Sequence, residues 1–426
     1  MRPDGAAARS GASVPLVSDE PGTPNPFEGF PLFGDLAKLF GQAGRGVPWD
    51  AARNLALAVA TDNATEPNVD PLERIKLEQL ARVAELHVAD VTGLAPSTTG
   101  RGLTVLPVTR GHWAQRTLED YRPLLEKLAG SLGQADAGPE DEDDTDPDDP
   151  FRDPDDQLVA MLGPMIQAMQ PMMVAMTAGS MVGHLARRSL GQYDLPVPRP
   201  RSDELLILVR NLDDFGKEWS LPADDLRLWI CLHEIAHHAV LGVPHVRDRL
   251  ESLLSEYTTK FRSDPGALED QLGDLDLTGG PESLARIQQA LGEPGALLGA
   301  IQSDEQRAIL PRLEAVVAVV VGVVDHVMDT VGAKLIPSYG MLTEALRRRR
   351  VETAESDRFV ERLLGLELTQ ATYDRGAKFV AGVIERAGDA GLARLWESEN
   401  MLPSPPEVDA PGLWLARIDL PDLPED

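Results

Sequence analysis

Two histidines four residues apart, with a glutamate directly after the first, give this sequence its clearest chemistry: His233-Glu234-Ile235-Ala236-His237. In a helix, residues four apart lie on one face, so His233 and His237 can direct two imidazoles at one metal ion. Glu234 is turned about 100° round the axis and can reach a water on that metal. A zinc ion held by two such histidines and one further protein ligand keeps a position open for water. It lowers the pKa of that water to about 7. Glu234 would then act as general base on the water and return the proton to the leaving group. The pattern fixes only three residue types in five and also arises by chance, so the elements around it must decide between a site and a pair of core histidines.

Those elements favour a site. Ser220 is a natural N-cap, Pro222 is tolerated in the first turn, and Asp224 and Asp225 suit the positive end of a helix dipole. The helix so started carries Trp229 one turn before His233 and should stop near Gly242 and Pro244. His245 follows eight residues after His237, beyond both breakers. The metzincin spacing would want Gly and His three and six residues after the second histidine, where Val240 and Val243 stand. A further ligand can come from Pro311–Gly332, in which Ala315–Val324 is an uninterrupted apolar run. Its β-branched content suggests a strand; its length, and flanking Glu314, Asp325, His326 and Asp329, indicate a buried helix. Burying Asp325 and His326 beside ten apolar residues is costly unless they are paired or metal-bound, which brings this helix to the site.

The rest of the chain is read as mainly α. Ala, Leu and Val are plentiful and aromatics make up only 5%. Residues 1–26 lack periodicity and read as a disordered tail, and Phe27–Phe40 as an anchoring turn and short helix. Further helices are expected over Trp49–Thr61, from Asp70-Pro71 to about Val91 with a stop at Gly93, and over Arg110–Leu132, so that 27–132 forms an N-terminal helical part. Residues 133–157 hold twelve acidic residues against one arginine, Arg152, and read as a solvated, disordered acidic insertion. The core is assigned to 158–426. Its first stretch, Leu158–Gly183, carries most of the methionines and is expected to be a buried helical hairpin. Leu205–Val209 is the most strand-like run, and residues 247–310 read as several helices with Gly-Pro breaks.

Composition also excludes some functions. A formal charge of −29 argues against nucleic acid. The Leu158–Gly183 run contains Pro164 and Pro171 and is too interrupted for a membrane span. The single cysteine, Cys231, rules out an internal disulfide framework and suits the cytoplasm; two residues before His233, it reads as a buried, inert thiol. His238 and His184 read as structural, and Arg347–Arg350 as a solvated helix face.

Four blocks, Leu228-Trp-Ile-Cys-Leu-His-Glu-Ile-Ala-His-His-Ala-Val240, Val243-Pro-His-Val-Arg247, Val323-Val-Asp-His-Val-Met-Asp-Thr-Val-Gly332 and Phe359-Val-Glu-Arg-Leu-Leu-Gly-Leu-Glu-Leu368, occur in that order. In this the sequence resembles the actinobacterial zincin-like predicted hydrolases, zinc-dependent metalloproteases of unknown substrate, over roughly residues 27–420. The resemblance implies a mainly α, zincin-like fold, with the metal-motif helix packed on the buried apolar helix and His233, Glu234 and His237 in the zincin roles. In glutamate-type zincins the third ligand is a Glu on a later helix, and an Asp four residues on holds the first histidine. Many members of the family carry Glu-Gly-x-x-Asp there, whereas this chain has Val321-Gly322-Val323-Val324-Asp325. Valine cannot bind metal. Asp325 keeps the family's Asp position and is the first choice of third zinc ligand, with His326, His245 and no third ligand as alternatives. The expected function is a zinc hydrolase of peptides, or of small molecules, with Glu234 as base; the alternative is a non-catalytic scaffold that binds a partner protein.

Overall fold

The computed structural model describes residues 46–97, 99–100, 102–134, 154–260, 303–351, 361–366 and 368–420. The expected N-terminal tail, the Phe27–Phe40 anchor and most of the Gly-Pro-broken 247–310 stretch, residues 261–302, lie outside them. The first helices are α1 (Trp49–Thr61), α2 (Pro71–Thr92) and, after strand β1 (Thr104–Val108), α3 (Arg110–Gln134) and α4 (Pro154–Arg188). Strand β2 (Glu204–Leu208) leads directly into α5 (Val209–Glu218), followed by α6 (Ala223–Gly242) and α7 (Pro244–Thr259). Next come α8 (Asp304–Val327), one π-helical turn at Met328–Gly332, and α9 (Ala333–Leu335). The last helices are α10 (Tyr339–Val351), α11 (Gln370–Ala393), α12 (Pro405–Asp409) and α13 (Pro411–Ile418). The fold is mainly α, and no helix among the described residues is long and apolar enough to cross a membrane.

Local chemistry sets the helix ends. The Asp70 carboxylate accepts from the Leu72 amide at 2.9 Å, Pro71 occupies the first turn, and α2 ends where Gly93 turns left-handed at φ 69°. Ser303 and Gln306 close a capping box on α8: the Gln306 amide donates to the Ser303 hydroxyl and the Ser303 amide to the Gln306 side chain, both at 3.1 Å. The valine run downstream is helical because it is buried on nearly every side, where packing outweighs the modest helix cost of β-branching.

Three local expectations give way. Pro154–Arg188 is one continuous helix and no hairpin. The acidic insertion is helical at both ends, because α3 runs to Gln134 and α4 begins at Pro154; 135–153 lies outside the described residues. Ser220 does not cap α6: it sits at φ 52°, and Pro222 stands at the N-cap without a side-chain bond. The Asp225 carboxylate at that end instead accepts from the amide and hydroxyl of Ser338, at 2.9 and 2.6 Å, and ties α6 to the segment before α10.

The strand-like run is β2, and it pairs in parallel with β1, Thr104 opposite Glu204 through Val108 opposite Leu208. A parallel pair needs a long crossover, here α3 and α4. The two-stranded ribbon carries the segment that matters for the site. The Leu208 amide donates to the Leu190 carbonyl at 3.0 Å, and the Leu206 amide to the Gln192 side chain at 3.3 Å, so residues 190–193 are laid along the edge of β2.

Helix α6 is the centre of the packing, with α2, α7, α8, α5 and β2 around it. Behind it α8 crosses α11 at close quarters: a Cβ on Gly376 would stand 2.0 Å from the Ala318 carbonyl oxygen, and one on Gly322 2.4 Å from the Gly376 carbonyl carbon. Only backbone fits there. Gly376→Val is expected to lose about 2–4 kcal/mol of unfolding free energy by forcing the helices apart. Gly130→Ala, inside α3 with nothing near the added methyl, is expected to gain about 0.5–1 kcal/mol. Urea denaturation of the two variants measures both.

Candidate metal centre

Helix α6 is buried on almost all faces from Leu226 to Leu241, so its polar side chains must be satisfied from within. His233 and His237 lie one above the other, ring centroids 4.4 Å apart. Trp229 stacks on His233 from one side at 4.8 Å, and Tyr193 stacks at 6.0 Å on His237. Each imidazole is anchored through Nδ1: that of His237 lies 3.1 Å from the His233 carbonyl and that of His233 lies 3.0 Å from Glu234 Oε1. A carbonyl only accepts, so His237 carries its proton on Nδ1 and presents a lone pair at Nε2. Burial pushes the pKa of His233 down to about 4 and that of His237 down to about 3. Both are neutral at physiological pH, the state that binds a metal.

Glu234 has no exposed surface. Its Oε2 accepts from the backbone amides of Gln192 and Tyr193 at 2.6 and 2.8 Å, while Oε1 faces His233. Gly191 lies so close that a Cβ there would be 2.3 Å from the Glu234 carboxyl carbon. Burial drives its pKa up to about 7; His237 and the two amides pull it down, and Asp194 pushes it further up. When ionised, Glu234 accepts from His233 Nδ1 and leaves that Nε2 as a second metal donor. When protonated, it can donate to Nδ1 and place the proton on Nε2. The glutamate therefore selects the histidine's tautomer. Both its oxygens are engaged, so neither is offered to a water in this arrangement.

The remaining expected ligands lie elsewhere or stand alone. Asp325, on α8, has no hydrogen-bond or ion-pair partner among the described residues, and burial raises its pKa to about 6, with Arg350 lowering it and Asp329 raising it. His326 shares a small cavity with Val91, Thr92, Asp389 and Trp396, between α8, α2 and α11. His245 is committed to the Leu395 carbonyl at 2.9 Å. Val321 is 1% exposed. Cys231 is buried, and desolvation raises its pKa, as expected of an inert thiol. His238, read as structural, is bonded through Nδ1 to the Tyr193 hydroxyl at 3.0 Å, and its buried Nε2 has no hydrogen-bond partner among the described residues. Among the described residues, no group of three His, Cys, Asp or Glu side chains is gathered to hold a metal. The donor chemistry thus fits a divalent metal at two positions, His233 and His237, and leaves a third to be supplied.

Sequence reasoning missed the charges around the motif. Asp194 accepts from the Leu190 amide at 3.0 Å and pairs with Arg349 at 3.5 Å. Arg350 lies over the Tyr373 ring, 3.8 Å from its centroid. Asp194 raises the pKa of His233, and Arg350 and Arg349 lower it. Asp194 was hidden in a Pro-rich connector. The arginines carried a usable signal: four successive helical residues sweep about 300°, so Arg347–Arg350 cannot all face solvent. Arg347 and Arg348 pair with Glu344 on the surface, Arg348 also lying over the Trp219 ring, while the next two turn inward.

A family model described as zincin-like metallopeptidase matches residues 47–415. A crystal structure from Chloroflexus aurantiacus, described as a candidate hydrolase with a novel fold, is similar to this chain with a TM-score of 0.55 and 22% sequence identity, covering 88% of this chain and 100% of that one. At that identity the likeness is one of fold. No curated protein matches the chain. The match over nearly the whole length agrees with the His-Glu-x-x-His helix at the centre of the fold, and the chain belongs to the zincin-like metallopeptidase family.

Proposed function

We propose that this chain is a metal-dependent hydrolase, a metallopeptidase in the sense of its family, with His233 and His237 as zinc donors, Asp325 as the third and Glu234 as the general base. The observation that carries this reading is the histidine pair: two neutral imidazoles with both Nδ1 atoms hydrogen-bonded, so that Nε2 is the donor on His237 and, with Glu234 ionised, on His233. His233 keeps 12% of its side chain exposed, which leaves an approach from solvent. Asp325 supports the reading as a largely desolvated carboxylate with no hydrogen-bond or ion-pair partner among the described residues. A zinc ion bound there would supply Lewis acidity and shift the ionisation of water to near neutral pH. Glu234, with its pKa raised to about 7, suits proton exchange at that pH, provided that Oε1 swings from His233 toward the incoming water. The substrate is a peptide or a small molecule. The lone, buried Cys231 suits the cytoplasm.

Two observations favour a second reading, a zincin-like scaffold without catalysis whose helices bind a partner protein. Val321 stands where the family pattern has a carboxylate, and both Glu234 oxygens are already engaged. In that reading Glu234 clamps the 190–193 turn and takes part in no reaction.

Metal analysis of the purified protein separates the two. The hydrolase reading expects about one zinc per chain, lost in the His233→Ala, His237→Ala double variant and reduced in Asp325→Asn. Glu234→Gln should keep the zinc and lose hydrolysis of a peptide library. Protein that is free of metal, and whose melting temperature does not move when zinc is added, would establish the scaffold.

The clamp has its own consequence for stability. Glu234→Ala, unfolded by urea in the presence of chelator, is expected to lose about 2–4 kcal/mol, because two buried amides then lack an acceptor. Glu234→Gln retains an acceptor and should lose less than half as much. Equal losses in the two variants would show that the amide bonds are not what Glu234 contributes.

A further inference from the structure

The amides that hold Glu234 are themselves held from behind. A backbone N–H and the carbonyl before it belong to one planar peptide unit, so whatever binds the carbonyl also sets the direction of the N–H. Two such units meet the glutamate. In the first, the Gln192 amide donates to Glu234 Oε2 at 2.6 Å, and the Gly191 carbonyl at the other end accepts from the Trp113 indole at 2.9 Å. In the second, the Tyr193 amide donates to the same oxygen at 2.8 Å, and the Gln192 carbonyl accepts from Arg199 Nη2 at 3.2 Å. Both units are bonded at each end.

Arg199 is the charged member of this arrangement, and it is buried. Its Nη1 donates to Asp120 at 2.8 Å, and its Nη2 also reaches the Thr117 hydroxyl at 3.0 Å. The guanidinium lies over the rings of Trp113 and Tyr121, 5.4 and 5.2 Å from their centroids. All four of these residues stand on α3, so one helix fixes the guanidinium's plane. Nε alone has no partner among the described residues. A cation on a carbonyl draws electron density to that oxygen and makes the N–H at the far end of the unit a stronger donor. Hydrogen bonds in such chains strengthen one another by roughly 10–30%, and away from water salt screens them little.

We propose that Arg199 is a positioning residue for Glu234, acting through the Gln192–Tyr193 peptide unit, and that Trp113 acts likewise through the Gly191–Gln192 unit. Together they hold Oε2 in place, so that Oε1 is the oxygen left to turn from His233 toward a water. The hold on Oε2 does not depend on what the protein does; its consequence for catalysis rests on the hydrolase reading above.

The dipeptide Gln-Tyr occurs once in the chain, so carbonyl-labelled glutamine combined with nitrogen-labelled tyrosine isolates the Tyr193 amide of the full-length protein by NMR. Its proton is expected downfield, and to move upfield in Arg199→Gln, which removes the charge. Arg199→Lys keeps a charged donor and should recover about half of that shift or more. Trp113→Phe breaks only the neighbouring unit and should move the proton less than about half as far as Arg199→Gln, whereas mere loosening of the turn would move it equally in both. Asp120→Asn removes a partly exposed acid that competes for the guanidinium, and the proton then moves downfield. That shift of opposite sign decides the matter if melting temperatures show that Arg199→Gln does not fold. Where the wild type hydrolyses a peptide library, Arg199→Gln should lower kcat about tenfold or more, with KM within about twofold and zinc content unchanged. A wild type without hydrolysis overturns the hydrolase reading and leaves the hold on Glu234 to the amide shifts. An unchanged kcat beside a moved proton overturns the catalytic consequence. A Tyr193 proton that stays in place in the folded Arg199→Gln or Asp120→Asn variant, or that moves equally in Arg199→Gln and Trp113→Phe, overturns the proposal.

Discussion

A carboxylate with no exposed surface must find its partners inside the protein, and Glu234 finds them in the backbone of Gln192 and Tyr193. Leaving even one such group unpaired costs about 1–3 kcal/mol, more if it is charged. The requirement fixes several elements at once. The turn at 190–193 must approach α6 closely enough that only glycine fits at 191. It reaches that position because β2 accepts it along its edge, through the Leu208 amide and the Gln192 side chain. The same contact sets the third member of the motif: Tyr193, brought in by its amide, stacks on His237 and bonds His238. Its own hydroxyl, fully buried, is pushed up to about 12 by desolvation and stays protonated as a donor. Strand, turn and helix are thereby one mechanical unit, and the motif histidines inherit their orientation from it.

Electrostatics adds a second layer around that unit. The histidines are buried and neutral, so the charges near them are carried by residues on other elements: Asp194 from the turn, Arg349 and Arg350 from α10. Asp194 and Arg349 form a pair with side chains 13% and 26% exposed, where screening is weaker than at the open surface but the net gain from pairing is still modest. Its effect is chiefly one of position. Arg349 holds the two ends of the turn, through Asp194 and through the Arg188 carbonyl. Arg350 contributes its positive field to the histidines and to Asp325 together.

What could be read in the sequence divides along physical lines. Helix caps are local chemistry, and Asp70, Gly93 and the burial of Pro311–Gly332 were legible because a few neighbouring residues determine them. The motif was legible because helical spacing alone brings His233 and His237 together. Strand β1 was not, since a five-residue run containing Pro107 has little strand character until β2, a hundred residues later, pairs with it. Ser220 misled because a capping residue type is also at home in a left-handed turn, and it was the turn that the chain needed there. The clamp on Glu234 was beyond reach for a related reason: backbone amides at 192 and 193 carry no side-chain signature, and their role depends on a strand edge that is itself non-local.

The valine at 321 belongs to the same logic of burial. Helix α8 packs nearly every residue from Ala315 to Val324 inside the protein, and position 321 is 1% exposed. A carboxylate there would cost several kcal/mol unless a metal or a buried cation met it, so a chain with glutamate at this place depends on its metal for part of its stability. Valine removes that dependence and adds about 1.5–3 kcal/mol of apolar burial. The surrounding arrangement agrees with a core that stands without metal: Glu234 is satisfied by amides, both Nδ1 atoms by oxygen acceptors, and the α8–α11 crossing by bare backbone at Gly322 and Gly376. A metal bound by His233 and His237 would need further donors, from water or from a side chain without a partner among the described residues. Asp325, one helical turn beyond the valine, is buried and has no hydrogen-bond or ion-pair partner among the described residues.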